Sequence, residues 1–211
     1  MNFITDSLND YCQYHTSPQS ELLAKIYRDT HAYNLNPRMV SGHLQGRLLA
    51  MLSKMIRPKC ILEIGTFTGY SAICLAEGLD EQGKIITIDI NEELESRVRE
   101  YFILTGQVAK FDFRIGNALS IIPTLSGPFD LVWIDADKKN YSHYFDLVID
   151  KIPSGGFMLA DNVLWGGKVL EKMKDKDTVA IQQFNEKIRS DERVENIMLP
   201  IRDGILLIRK F

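Results

Sequence analysis

Cysteine is scarce in this sequence. The three cysteines, Cys12, Cys60 and Cys74, are odd in number and lack metal-ligand spacing, so no thiolate metal site is expected. Cys60 and Cys74 sit in apolar patterns and read as small core residues. This usage fits a reducing, cytoplasmic compartment. Histidine is equally thin. His15, His31, His43 and His143 show no H-x-x-x-H or H-E-x-x-H pairing, which argues against a histidine metal centre. His43 stands out only because it adjoins Gly42. No apolar run approaches the length of a membrane span. Residues Met1 to Asp6 carry no basic region leading into a long apolar run, so no signal peptide is expected. An excess of positive charge is also missing. The formal net charge of −3 gives no global attraction to nucleic acid or membrane. One basic cluster, Arg47, Lys54, Arg57 and Lys59, reads as a solvated helix face. There is no repeat, low-complexity tract or linker.

What is present fits one domain spanning residues 1–211, large enough for a sizeable core, with residues 1–57 as an N-terminal helical cap. Residues 1–35 look helical, with Leu8, Tyr11 and Tyr14 on one face and Leu22, Leu23, Ile26 and Tyr27 on another, divided at Pro18. Asn36-Pro37 is a break. A helix with Leu48, Leu49, Leu52 and Met55 follows and ends at Arg57-Pro58. Strands are expected near 60–64, 84–90, 111–115, 129–134 and 157–160. Helical stretches lie between them: one carries Leu94, Val98, Phe102 and Ile103, a short turn runs through Ile121-Ile122, and another covers 144–149. A last helix over 178–189 carries Val179, Ile181, Phe184 and Ile188. The chain closes as a hairpin, 197–201 and 205–208, around Asp203-Gly204. Five strands alternating with helices, then a hairpin, imply an α/β fold. It is a doubly wound, Rossmann-like seven-stranded sheet, mostly parallel, with an antiparallel C-terminal pair and helices on both faces.

Within that order one stretch carries unusual chemistry. Ile61, Leu62 and Ile64 form a short apolar run that stops at Gly65, and Gly69 follows before a helical pattern. The spacing Gly65-x-x-x-Gly69, with no lysine after it, is neither the dinucleotide G-x-G-x-x-G nor a P-loop. Glu63 interrupts the strand. An acid at the mouth of a glycine turn disfavours phosphate and suits an ammonium or hydroxyl groups. In such sheets ligands bind beyond the carboxyl ends of the strands. Those ends read Glu63/Gly65, Asp89, Gly116-Asn117, Asp135 and Asp161-Asn162. Asp89 suits the two hydroxyls of a ribose; the alternative is a cap for the helix beginning near Asn91. Asp135, Asp161 and Asn162 all offer oxygen, which suits a hard cation such as Mg²⁺, Mn²⁺ or Ca²⁺. The alternative is a helix cap and a turn. Lys138, three residues after Asp135, is either a base or a surface charge.

Four stretches recur in order: Leu62–Ser71, Ile88-Asp89, Trp133–Tyr141 and Ala160–Gly167. Together they resemble the cation-dependent, S-adenosylmethionine-dependent O-methyltransferases. That group includes catechol O-methyltransferase and, more closely, the caffeoyl-coenzyme A O-methyltransferases with their bacterial relatives. The resemblance runs from Met39 to Arg209. It implies that Glu63, Gly65, Thr66, Phe67 and Ser71 hold the methionine part of the cofactor. Asp89 would hold its ribose, the turn ending at Ala118 would border its adenine, and Met39 and Ser41 would cover it. Asp135, Asp161 and Asn162 would hold the metal, with Asp135 also touching the cofactor. Lys138 would be the catalytic base beside Asp135. The implied acceptor is a small aromatic molecule with adjacent hydroxyls, and the implied assembly is a homodimer. Tyr11, Tyr14, Tyr33, Trp165 and Arg202 are candidates for acceptor contacts.

Three rivals stand beside this reading. The same site can act on hydroxyuridine in transfer RNA, which the Arg47–Lys59 cluster would accommodate and the net charge does not favour. An NAD-dependent dehydrogenase is disfavoured by Glu63 and the missing G-x-G-x-x-G. A non-catalytic cofactor-binding protein would have no need of Lys138 and three oxygen ligands.

Overall fold

The structure, a computed structural model, describes residues 5–211. The first four residues of the expected N-terminal helical stretch, and of the stretch that argued against a signal peptide, lie outside it. Seven strands form one sheet: β1 (Cys60–Ile64), β2 (Lys84–Asp89), β3 (Phe111–Ile115), β4 (Leu131–Ile134), β5 (Phe157–Asp161), β6 (Val194–Leu199) and β7 (Ile205–Lys210). Their order is β3-β2-β1-β4-β5-β7-β6. The first five are parallel, and β7 runs antiparallel to both β5 and β6. This is the doubly wound sheet expected from the alternation of elements.

The sheet is covered on both faces, so its central strands are apolar throughout rather than alternating. Leu62, Ile64, Val132 and Ile134 face a core completed by Phe145 of helix α7 (Tyr141–Val148) and Phe184 of helix α8 (Lys176–Ser190). Ile61, Leu131 and Trp133 face a second core. That core is filled from helices α2 (Glu21–Tyr33), α3 (Gly42–Ile56), α4 (Tyr70–Ala76) and α5 (Glu95–Leu104). Because side chains alternate along a strand, Glu63 points into this second, fully covered face.

The N-terminal cap is anchored unevenly. Leu23 and Ile26 of α2 are both fully buried, worth about 1.5–3 kcal/mol each. Helix α1 (Asp6–Tyr14) has no buried residue. Leu8, Tyr11 and Tyr14, expected to line a packed face, are exposed. Met55, Ile103 and Val179 are likewise exposed ends of apolar stripes that are wider than their contacts. Element bounds shift modestly: β4 begins at Leu131, α7 at Tyr141 and β6 at Val194. Short 3₁₀ turns extend the helical segments, as at Lys138–Asn140 before α7. Helix α6 (Ala118–Ile121) starts just past β3, with the Asn117 side chain accepting from the Leu119 N–H at 2.9 Å. Among the described residues no helix is long and apolar enough to cross a membrane.

Candidate active site

Strand β1 lies between β2 and β4, so the connections leave it in opposite directions and open a crevice at the strand ends. A cleft of about 1510 Å³ occupies that position. Single-ligand pockets run to about 300–1,000 Å³, so two reactants fit side by side. Of the residues singled out from the sequence, Met39, Ser41, Gly65, Thr66, Phe67, Ser71, Asp89, Ala118, Asp135, Lys138, Asp161 and Asn162 all line it. Tyr33, Trp165 and Arg202 line it as well, and Tyr11 and Tyr14 do not. Glu63 lies behind the wall.

The turn after β1 is shaped by close backbone contact. Gly65 has φ +103°, and a Cβ there would stand 1.9 Å from the Asp135 carbonyl oxygen. Only glycine lets the ends of β1 and β4 approach so closely. Asp89, at the end of β2, accepts from the Phe67 N–H at 2.6 Å through Oδ2 and from the Asn91 N–H at 2.8 Å through Oδ1. It therefore fixes the glycine turn, and each oxygen keeps a lone pair for a ligand. The helix start is capped by Asn91 itself, which accepts from the Glu93 N–H.

Glu63 is fully buried. Ser71 Oγ donates to its Oε1 at 2.6 Å, and Thr87 Oγ1 donates to its Oε2. Thr87 is its neighbour in register on β2. Burial pushes the Glu63 carboxyl up to about 8, against the opposing effect of the Ser71 and Thr87 hydrogen bonds. It connects to the cleft through Ser71, and through Thr87 to Thr66, whose hydroxyl lies 2.5 Å from that of Thr87.

The other half of the cleft gathers Asp135, Lys138, Asp161 and Asn162. Asp161 is 3% exposed. Burial, reinforced by the charge of Asp135, pushes its carboxyl up to about 7, against the hydrogen bond from Gln45. Gln45 Nε2 donates to Asp161 Oδ2 at 2.6 Å, and the Asn162 N–H donates to Oδ1 at 2.8 Å. Lys138 Nζ donates to the Tyr141 hydroxyl at 2.7 Å and lies 3.3 Å from Asp135 Oδ1. Tyr141 is fully buried, and burial holds its phenol well above the ordinary value. It stays neutral and donates to the Asp161 carbonyl at 3.1 Å. Asn162 and Trp165 both have left-handed backbones, at φ 58° and 47°. Non-glycine residues there carry roughly 1 kcal/mol of strain or more each. The Trp165 indole N–H is buried with no acceptor among the described residues.

Two acids and an amide make up the oxygen set. Among the described residues no group of three or more His, Cys, Asp or Glu side chains could hold a metal ion. The set still suits a hard cation, because Asp135 and the buried Asp161 are oxygen donors close together, and the charge of Asp135 helps to raise the Asp161 carboxyl even with Lys138 and Arg202 nearby. His43 is engaged elsewhere, its Nε2 lying 2.8 Å from the Ser17 carbonyl. Arg47 and Lys54 of the basic cluster both pair with Glu77. Sequence reasoning missed Gln45 and Arg202 as partners and gave Tyr141 no role. Gln45 sits in a helix with no motif around it, so no local signal marks it.

Comparison with known proteins identifies the family. An O-methyltransferase family model matches residues 13–211. The caffeoyl-CoA O-methyltransferase of Mesembryanthemum crystallinum is 37% identical over 193 residues, covering 85% of this chain and 75% of that one. Tricin synthase 2 of Oryza sativa subsp. japonica is 34% identical, covering 88% and 67%. Among solved structures, a Podospora anserina methyltransferase with bound SAH superposes with a TM-score of 0.90 at 27% identity, covering 98% and 94%. A Streptomyces achromogenes O-methyltransferase of tomaymycin synthesis, in complex with SAM, gives 0.88 at 28% identity, covering 97% and 96%. With all seven strands and every wall of the cleft inside the matched span, the chain belongs to the O-methyltransferase family.

Proposed function

We propose that this O-methyltransferase moves a methyl group from S-adenosylmethionine to one hydroxyl of a catechol-like or other vicinal-dihydroxy aromatic small molecule. A divalent cation, Mg²⁺ by preference and Mn²⁺ or Ca²⁺ as alternatives, would be held by Asp135, Asp161 and Asn162. The observation that carries the reading is the buried Asp161 carboxyl near Asp135, with the Lys138 amine beside them. When bound, the metal supplies charge neutralisation and lowers the pKa of a hydroxyl that it binds. The methyl donor supplies an activated methyl on a sulfonium.

The chain's own residues have three tasks. Asp89 accepts from the donor's ribose with the lone pairs left beyond Phe67 and Asn91. Ser71, backed by Glu63, meets the methionine end, and Ala118, Met39 and Ser41 border the rest. Lys138 takes or holds the proton that leaves the acceptor hydroxyl. Tyr141 and Asp135 fix its amine in place. Holding both reactants in one cleft then contributes through positioning.

Relatives named for caffeoyl-CoA methylation, and superposable structures holding SAM or SAH, support the donor and the phenolic class. Residues 1–211 would act as one catalytic domain, in the cytoplasm and as a homodimer. The test is methyl transfer to a panel of catechols, hydroxycinnamoyl esters and hydroxyuridine RNA, with Mg²⁺ and with chelator. Transfer to a diol that chelation abolishes supports it. Metal-independent transfer, or transfer to the RNA alone, overturns it.

A further inference from the structure

Gln45 is an amide buried to 0% exposure in the packed face of α3. An amide without partners there would be destabilising. Both of its ends are engaged, and by opposite charges. Nε2 donates to Asp161 Oδ2 at 2.6 Å, and Oε1 accepts from Arg202 Nη1 at 2.7 Å. The flanking charges therefore set the amide's orientation: carbonyl toward guanidinium, amine toward carboxylate. Arg202 Nη1 also donates to the carbonyls of Ser41 and, at 3.1 Å, Val40, two residues of the cleft wall.

Arg202 lies in the turn between β6 and β7. That turn also braces the loop after β5. The Leu164 N–H donates to the Asp203 carbonyl at 3.0 Å, and the Gly166 N–H donates to the Asp203 carboxylate. A hairpin turn at the sheet edge thus reaches both the segment before α3 and the loop that follows Asp161.

We infer that Gln45 and Arg202 are positioning residues that hold the Asp161 carboxylate in the cleft and tie it to the Val40-Ser41 wall. The inference rests on the proposed role of Asp161 as a metal ligand. Arg202 makes no hydrogen bond to Asp161: its guanidinium is hydrogen-bonded to Gln45 and to backbone carbonyls, so it orients the carboxylate through Gln45, while its charge favours the ionised form directly. Partners of this kind change metal affinity by about 10–100-fold when removed.

The test uses the full chain, with Mn²⁺ binding followed by electron paramagnetic resonance and SAH binding by calorimetry. Gln45→Met keeps the side-chain length and removes both hydrogen bonds. It should weaken Mn²⁺ binding by about 10–100-fold, while metal-free SAH affinity stays within about threefold of wild type because Arg202 still holds Val40 and Ser41. Arg202→Met should weaken both ligands. The double variant should bind Mn²⁺ little worse than Gln45→Met, because the two residues form one relay. Mn²⁺ affinity within about twofold of wild type in folded Gln45→Met, or additive losses in the double variant, overturns the inference. If Gln45→Met fails to fold, unchanged Mn²⁺ affinity in Arg202→Met overturns it instead. Asp161→Asn separates the two readings. Loss of Mn²⁺ in Asp161→Asn without loss in Gln45→Met refutes the relay alone. Wild-type protein that binds no Mn²⁺, or binding unaltered in Asp161→Asn, refutes the metal assignment and the relay together.

Discussion

Glu63→Gln should make the protein less sensitive to rising pH. The Glu63 carboxyl is raised from 4.5 to about 8, chiefly by burial. Below about pH 4.5 the folded and unfolded chains both hold the proton, and the group imposes no penalty. As pH rises, the unfolded chain releases its proton first. The folded chain then binds more protons than the unfolded chain, so stability falls until the pH passes about 8. One pKa unit is about 1.4 kcal/mol. Integrated between about pH 5 and pH 7.5, the loss from this one group is roughly 3 kcal/mol. Glutamine keeps the length and hydrogen-bonding capacity of the protonated acid and has no charge to desolvate. The assay is urea unfolding of the ligand-free chain at several pH values across that window. Asp161 has a raised carboxyl too, and it contributes the same slope to both proteins, so the difference between them isolates Glu63. The variant should gain on wild type by about 3 kcal/mol from the low end of the window to the high end. A gap that stays constant within about 0.5 kcal/mol refutes the reasoning.

Three further outcomes follow from the same geometry. Gly65→Ala places a methyl 1.9 Å from the Asp135 carbonyl oxygen at a φ of +103°, so β1 and β4 must separate, and urea unfolding should show a loss of about 4 kcal/mol or more. An unfolding midpoint near wild type contradicts that account. Asp89→Asn removes the charged acceptor that orders Phe67 and faces the cleft, and SAH affinity by calorimetry should drop about 10–100-fold; unchanged affinity rules out the ribose contact. Lys138→Ala should lower turnover by about 10²–10⁴-fold with SAH affinity within a few-fold of wild type, and wild-type turnover in this variant removes Lys138 from the mechanism.

Much of the site was legible because a strand end leaves a local trace. Ile64-Gly65, Ile88-Asp89, Ile134-Asp135 and Ala160-Asp161 each switch from apolar to turn or polar residues within one step. The Gly65–Gly69 spacing excluded two phosphate-binding motifs without any coordinates. Helix faces were harder. The α1 stripe of Leu8, Tyr11 and Tyr14 has helical periodicity but no buried residue, because periodicity reports amphipathicity and not whether another element packs against it. Glu63 was legible as an anomaly and illegible as a contact. Its burial depends on which face of β1 is covered by α4, and its partner Thr87 depends on the register with β2.

The sequence alone determined the α/β class, the order of strands and helices along the chain, and the polar residues that close each parallel strand. These follow from periodicity and turn chemistry within a few residues. The tertiary structure decided which of those residues meet. Asp135 and Asp161 come together because β4 pairs with β5. Arg202 reaches Gln45 because β7 pairs with β5 and the turn before β7 meets the start of α3 and the residues just before it. Gln45 and Asp161 are separated by 116 residues, and Gln45 and Arg202 by 157. Contacts across such distances are set by strand order and helix packing, which no local pattern encodes.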